Sequence, residues 1–474
     1  MSPTSVEPPA KADSFFWPFC ACLPMMWMQL ITGSIEGHSA VLLPQLEESA
    51  KFHISLEEES WIASLGIMST PLFAVAFGPI TDRYGRKIIC YLFYVMATMG
   101  FAFLAFAQSV EHIYVGRLLG ASAHGFTLVS VMYMWEVCAE KQRQKMTAFL
   151  CPVCSMGILY VYVIGGYLPW NIASMILAFS GLLGLIGLYF IPESPAWQVT
   201  QNDIDGAIKG LEWLQRNEDN ILKEVEELKK ACCNNSNNRA QSFSFKYFSM
   251  PTVWKPFLIL AMFGALQNGC GFYMLLYYTV DYFQNLGTEM DPLKLTVGLA
   301  SMRLLSGIFG AYLIARASRK WLTATSSFGM FVVASAALGF ILFDANTPVS
   351  ERPNQWFLVV CSLLYVLLCT LALQPLPWLM TSELYPLPLR GVMSGITFFV
   401  LFSLVFFGIK LYPFIVFYTG TVGLLCVFAA TTLLTVPFAI FVLPETINKT
   451  PQEIEEYFEK RKDGSDRYDT TVYI

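Results

Sequence analysis

Apolar residues run in long blocks along almost the whole chain, separated by short polar joints. Such blocks match the roughly 20 residues that an α-helix needs to cross about 30 Å of hydrocarbon. A surface helix of a soluble protein keeps a polar face, and these blocks have none to show to water. The pattern predicts twelve membrane helices, near residues 19–46, 60–80, 88–108, 112–138, 146–168, 171–191, 254–286, 294–315, 320–343, 355–382, 391–412 and 416–443. The longest polar joint, 192–253, divides them six and six. Within it "DIDGAIKGLEWLQR" and "ILKEVEELKK" place apolar residues at helical spacing with charges between, which predicts short amphipathic helices; "CCNNSNNRAQS" reads as a flexible break. The expected organisation is a tail at 1–18, a six-helix bundle at 19–191, a linker at 192–253, a second bundle at 254–443 and a tail at 444–474. The fold class is an all-α polytopic membrane protein.

Composition agrees and removes one alternative. A length of 474 residues taken alone suggests about three soluble domains. A chain that is 55% hydrophobic and 14% charged, with mean hydropathy +0.51, does not fit that reading. The net charge of −5 decides little, because the charges are sorted by loop. One set of joints receives Arg83, Arg86, Lys87, Lys141, Arg143, Lys145, Arg316, Arg319, Lys320 and Arg390; the other set is acidic or neutral, as in "EESAKFHISLEEES". By the positive-inside rule the basic joints are cytosolic, and so are both termini. The sequons at Asn234 and Asn448 then face the cytosol, where they stay unmodified.

The chemistry of an enzyme is missing. The opening "MSPTSVEPPAKADSFFWPF" has no basic segment leading into a short apolar core, so the first block is expected to be a retained helix. Most of the twelve Cys lie in apolar blocks as small hydrophobes, and "CPVC" at Cys151 has redox spacing but opens a membrane helix. No His/Cys set has metal spacing, no glycine-rich loop follows a strand, and no nucleophile–base pair stands out. We expect no catalytic residue, no metal, no cofactor and no nucleic-acid partner; the expected partners are the lipid bilayer and a small solute.

The two halves repeat. "GPITDRYGRK" at Gly78 has a faded counterpart in "LIARASRK" at Leu313, where Ala315 and Ser318 stand in place of the acid and the glycine. Glu136 precedes Arg143 by seven residues, as Glu383 precedes Arg390; "PESP" at Pro192 closes the first bundle and "PETI" at Pro444 the second. Two six-helix halves related by an axis along the membrane normal describe the major facilitator architecture.

These motifs, with "GRLLGASAHG", "YMWEVCAEKQR" and "QPLPWLMTSELYPLPLRG", resemble the sugar porter branch of the major facilitator superfamily over essentially the whole chain. Phrases such as "LLPQLEES", "SWIASLG" and "GGYLPW" are most similar to insect members of trehalose-transporter type. The resemblance implies alternating access with a midplane site. It also implies a cytosolic network of Asp82, Arg83, Arg86, Glu136, Arg143 and Glu193 with Arg319, Glu383, Arg390 and Glu445, holding the two halves together while the cavity faces outward. The missing acid at Ala315 implies a lopsided clamp.

The same resemblance assigns the cavity. Gln267 keeps the first amide of the sugar site; Asn268 is shorter at the second, Tyr273 replaces an asparagine, and Tyr162 stands where a glutamine is usual. Trp378 keeps the tryptophan that packs on a sugar face, beside Pro375 and Pro377, which can break the helix into a gate, and Gln374 stands where a glycine is usual. Arg303 takes the position of an amide. Polar groups within crossings are expensive in lipid and usually face the bundle, so Arg303 is expected in the cavity, unpaired, with Glu36 and Asp281 as the nearest acids. Proton-coupled relatives carry an aspartate at Ser39, opposite Arg117. Here Glu36, three residues away, is its one substitute, with His38 and His124 nearby; otherwise Glu36 pairs with Arg117 or lines the mouth. The expected function is facilitative transport of a hexose or trehalose-like sugar in the plasma membrane. The alternatives are an organic anion or aromatic solute, proton symport, and a non-transporting sugar sensor.

Overall fold

The computed structural model describes residues 16–49, 52, 54–139, 142–143, 146–147, 149–215, 221–230, 250–286, 290–343, 355–386, 389–447, 449 and 451–460. Lys141, Lys145, the stretch 232–242, both sequons and the outer parts of both tails lie outside them. All regular structure among the described residues is helical.

The first half contains α1 (Phe16–Glu47), α2 (Leu56–Met68), α3 (Thr70–Tyr84), α4 (Arg86–Ala105), α5 (Val110–Gly125), α6 (Leu128–Val137), α7 (Leu150–Tyr167) and α8 (Trp170–Tyr189). Three joint helices follow, α9 (Pro195–Thr200), α10 (Ile204–Trp213) and α11 (221–230); the last two fall on the two amphipathic stretches, and α9 does not. The second half contains α12 (Pro251–Gly269), α13 (Phe272–Tyr277), α14 (Thr279–Asn285), α15 (Pro292–Ile314), α16 (Arg319–Phe343), α17 (Trp356–Leu371), α18 (Leu376–Glu383) and α19 (Arg390–Pro437); α20 (Pro451–Lys460) closes the chain.

Each of the twelve predicted segments falls on helix, but several are broken. Eight described helices are long and apolar enough to cross a bilayer, and the bent pair Leu56–Tyr84 makes nine. The double-length α19 runs through both of the last two predicted segments, which the non-helical backbone of Gly420 (φ 64°, ψ −174°) separates. The predicted segment 112–138 breaks at Phe126 and Thr127. The segment 254–286 breaks at Gly271, whose φ of 77° a residue with a Cβ rarely adopts and where a Cβ would strike the Phe428 ring. The segment 355–382 breaks ahead of Pro375 and Pro377, whose rings leave α17 without continuing donors.

Within the first half, α1 and α7 touch backbone to backbone. A Cβ on Gly33 would fall on the Cys154 carbonyl, one on Gly157 on the Leu30 carbonyl, and Ser34 Oγ donates to Gly157 O at 3.0 Å. Where lipid gives helices no hydrophobic reason to associate, such small-residue faces supply it. The halves meet through α1 against α13 and α14, α2 and α3 against α19, and α7 against α15.

Candidate functional site

Polar side chains gather at two levels. The first is the middle of the spans, between the halves. Arg303, midway along α15, is 5% exposed. Its Nη2 lies 3.7 Å from Glu36 Oε2 on α1, and its guanidinium sits 5.0 Å over the Phe272 ring. His124 Nε2, on α5, lies 3.6 Å from the other Glu36 oxygen. The expectation of an unpaired Arg303 is thereby corrected. A guanidinium that cannot shed its charge stays out of water only beside an anion, and α1 brings Glu36 to it across the seam.

The other acid is committed elsewhere: Asp281 Oδ2 accepts from Tyr412 at 3.0 Å. Glu36 does not pair with Arg117 either. Arg117 is spent on the Ser39 hydroxyl and on the carbonyls of Ile62 (3.0 Å), Ile35 (3.4 Å) and Ala63 (3.5 Å). His38 turns to Ser174 Oγ at 3.0 Å.

The expected amide site is only partly assembled. Buried Gln267 donates its Nε2 to Leu373 O (3.1 Å) and Gln374 O (2.7 Å), stitching α12 to the broken joint between α17 and α18. Asn268 turns the other way and donates to Leu404 O at 2.6 Å, against Gly408. Consecutive residues of a helix point about 100° apart, so the pair cannot serve one solute group. Tyr162 OH crosses the seam to Leu276 O at 2.8 Å and Thr279 Oγ1 at 3.1 Å. Trp378 lies 4.7 Å from Phe402, which also meets the His124 ring at 5.6 Å. Tyr273 and Tyr277 are buried within electrostatic reach of both Glu36 and Arg303. Phe272, Tyr277 and Phe402 were not singled out from sequence; the aromatic run "FYMLLYYTVDYF" carries the signal for the first two.

Elsewhere the halves touch through α2 and α19, where Ser60 Oγ donates to Lys410 O at 3.0 Å and Lys410 Nζ lies 3.8 Å over Trp61; beside this, within the second half, Tyr278 stacks on Tyr412 with centroids 4.4 Å apart.

The second polar level is the end where α3 meets α4, and there the repeat is atomic. Arg86 binds Glu136 through Nη2 at 2.7 Å and Nε at 2.8 Å, and donates to Thr81 O at 3.1 Å. Arg319 binds Glu383 at 3.1 Å and donates to Ile314 O, again five residues back. Glu193 caps the start of α4, accepting from Arg86 N (3.2 Å) and Lys87 N (3.1 Å); Glu445 caps α16 through Arg319 N (3.0 Å) and Lys320 N (3.3 Å). Arg143 reaches Cys138 O at 3.0 Å, and Arg390 reaches Tyr385 O at 3.4 Å. Asp82 adds a 3.7 Å contact to Arg86, and exposed Arg83 rests 5.3 Å over Tyr84.

These pairs run inside each half. Among the described residues, Arg86 and Arg319 each bind a carboxylate and a carbonyl of their own bundle. The Ser318 hydroxyl donates to Glu445 where the first half has a glycine, while Ala315 leaves Arg319 without a counterpart of Asp82. Burial pushes the Glu193 carboxyl up. Burial also acts on Glu445, but the Ser318 hydroxyl and the Arg319, Ile447 and Lys320 amides outweigh it and hold that carboxyl below its ordinary value.

A family model described as "Sugar (and other) transporter" matches residues 20–458. The facilitated trehalose transporter Tret1 of Drosophila erecta is 24% identical over 451 residues, which is 94% of this chain and 52% of that protein. The chain thus spans about half the length of the first curated relatives it matches. The Tret1-2 homolog of Drosophila sechellia is 24% identical over 448 residues, covering 94% of this chain and 91% of that one. Among solved structures, the inward-open xylose transporter XylE from E. coli aligns with a TM-score of 0.75 at 19% identity, covering 93% of this chain and 99% of that one. The proton:xylose symporter XylE bound to 6-bromo-6-deoxy-D-glucose gives 0.72 at 20% identity, with the same coverage. The shared fold is the major facilitator fold.

Proposed function

Because the chain belongs to the sugar (and other) transporter family, we propose that it is a facilitative carrier of a neutral sugar, a hexose or a trehalose-like disaccharide, working by alternating access in the plasma membrane. The observation that carries this reading is the shared ownership of the central polar cluster. Glu36 and His124 belong to one half, and Arg303, Gln267 and Tyr277 to the other. A solute bound among them touches both halves, so rocking one half against the other changes which side it can leave by.

The charges favour a neutral solute over an organic anion, since Glu36 balances Arg303. Uniport is favoured over proton symport because Arg117 meets a serine hydroxyl and carbonyls, none of which titrates. Purified protein in liposomes is expected to take up radiolabelled trehalose or glucose at the same initial rate with and without an inward proton gradient. Rate enhancement by the gradient would reverse the assignment to uniport, and binding without uptake would make the protein a sensor.

Gln267 is the residue of the expected amide site best placed to matter. Gln267→Ala removes two hydrogen bonds at the joint between α17 and α18 along with any bond to solute. At about 1–3 kcal/mol for a buried partner left unmet, sugar affinity is expected to fall roughly 5- to 150-fold, measured as the half-saturation of uptake. Asn268→Ala, turned toward α19, is expected to leave affinity within about threefold.

A further inference from the structure

We propose that the Glu36–Arg303 pair is itself the element that binds the solute, holding two neighbouring hydroxyls of a neutral polyol, one between the carboxylate and the guanidinium and the other against the free edge of the fork. The inference rests on the carbohydrate reading above and says which atoms of the site do the recognising.

Among the buried polar atoms without a hydrogen-bond partner in the described residues are Arg303 Nη1, Glu36 Oε2, His124 Nδ1 and Tyr277 OH. Buried polar groups are almost always satisfied, and each one left unmet costs about as much as a lost hydrogen bond. Four together, drawn from α1, α5, α13 and α15, mark a place shaped around hydrogen-bonding groups that the chain does not supply. The pair itself is stretched. At 3.7 Å its closest atoms attract as charges but exceed hydrogen-bond length.

The chemistry of that gap selects the solute. Glu36 Oε2 only accepts, and Arg303 Nη1 only donates. A carboxylate or phosphate would bond the arginine but meet Glu36; an ammonium would do the reverse. A hydroxyl both donates and accepts, so it inserts between the two and satisfies each. Phe272 lies under the guanidinium at 5.0 Å and limits approach to the fork's free edge. His124 is a positioning residue whose Nε2 flanks the carboxylate's other oxygen, Glu36 Oε1, at 3.6 Å. Tyr277 OH, on α13 and buried without a partner among the described residues, is available to a second hydroxyl. An amide at position 303 would carry both its donors and its acceptor on one half; the ion pair divides those roles between the halves, so the solute is held by both.

The test uses whichever of radiolabelled glucose and trehalose the full-length protein carries in liposomes, with the set of its mono-deoxy derivatives and gluconate as competitors. In the parent, removing one particular hydroxyl, or either of two neighbours, is expected to weaken competition roughly 10- to 100-fold, the range for hydrogen bonds to charged groups. In the doubly neutral variant Glu36→Gln/Arg303→Gln the same deletion is expected to change competition less than about threefold. A structural role for the pair would lower stability without altering the hydroxyl profile, so an unchanged profile in the folded double variant overturns the inference while leaving the carbohydrate reading intact. If that variant does not fold, Arg303→Lys keeps the charge but loses the planar fork, and it is expected to lose most of the same discrimination; retention overturns the inference. Gluconate is expected to compete poorly, and gluconate outcompeting glucose overturns it. A parent that carries neither sugar overturns the carbohydrate reading first and this inference with it.

Discussion

Arg86→Ala is expected to destabilise the protein by about 3–5 kcal/mol, the usual effect of removing one member of a buried ion pair and leaving the other charge unmet. Arg86 is 6% exposed and makes a two-pronged contact to Glu136, with a further bond to Thr81 O. Because those bonds lie inside the first half, the expected result is a lower melting temperature in detergent with no preference for one facing of the carrier. The mirror substitution Arg319→Ala should do the same to the second half, since it strips Glu383 and Ile314 O of the equivalent partner. Arg83→Ala is the control: an exposed guanidinium resting on Tyr84 should change stability by less than about 0.5 kcal/mol. A population shift toward one facing in Arg86→Ala, without loss of stability, would restore the idea of a clamp between the halves.

Gly157→Leu should be more severe, abolishing monodisperse protein on size exclusion. The Gly157 Cα faces the Leu30 carbonyl with no room for even one added carbon, and the reciprocal contact of Gly33 with Cys154 O closes the same interface from the other side. Inserting a branched side chain there separates α1 from α7, breaks the Ser34-to-Gly157 bond and moves Glu36 away from Arg303. Overpacking a core commonly costs about 1–3 kcal/mol when neighbours can shift; main-chain atoms of two long helices cannot. Gly298→Leu, at a position with nothing within 4 Å, should accumulate as the parent does. Normal elution of Gly157→Leu would mean that α1 and α7 do not touch as described.

The positions of the helices were legible because lipid imposes one rule on every span, and a run of apolar residues states it openly. Breaks within spans were legible only where a proline announced them, as at Pro375; Gly271 gives no such notice, since glycine is common in membrane helices for packing reasons too. The repeat predicted which residues would form ion clusters, but not who pairs with whom. Glu136 and Arg143 look like partners at helical spacing in the chain, yet Glu136 goes to Arg86 and Arg143 to a carbonyl. Register along one helix says little about which neighbouring helix is closer. Arg303 was recognisable as unusual for its burial, while its partner was not, because Glu36 and Asp281 were both within plausible reach, and Arg117 competed for Glu36, until the relative rotation of α1 and α15 was known.

The uniport proposed above has a consequence for the direction of traffic. With its donors on Ser39 and on the carbonyls of Ile62, Ile35 and Ala63, Arg117 waits for no proton. A cycle that consumes no second gradient has no source for the roughly 1.4 kcal/mol that each tenfold accumulation of a solute requires. Such a carrier can bring two compartments to the same concentration and go no further. Which way sugar flows through it is therefore decided elsewhere, by whichever compartment removes the free solute faster.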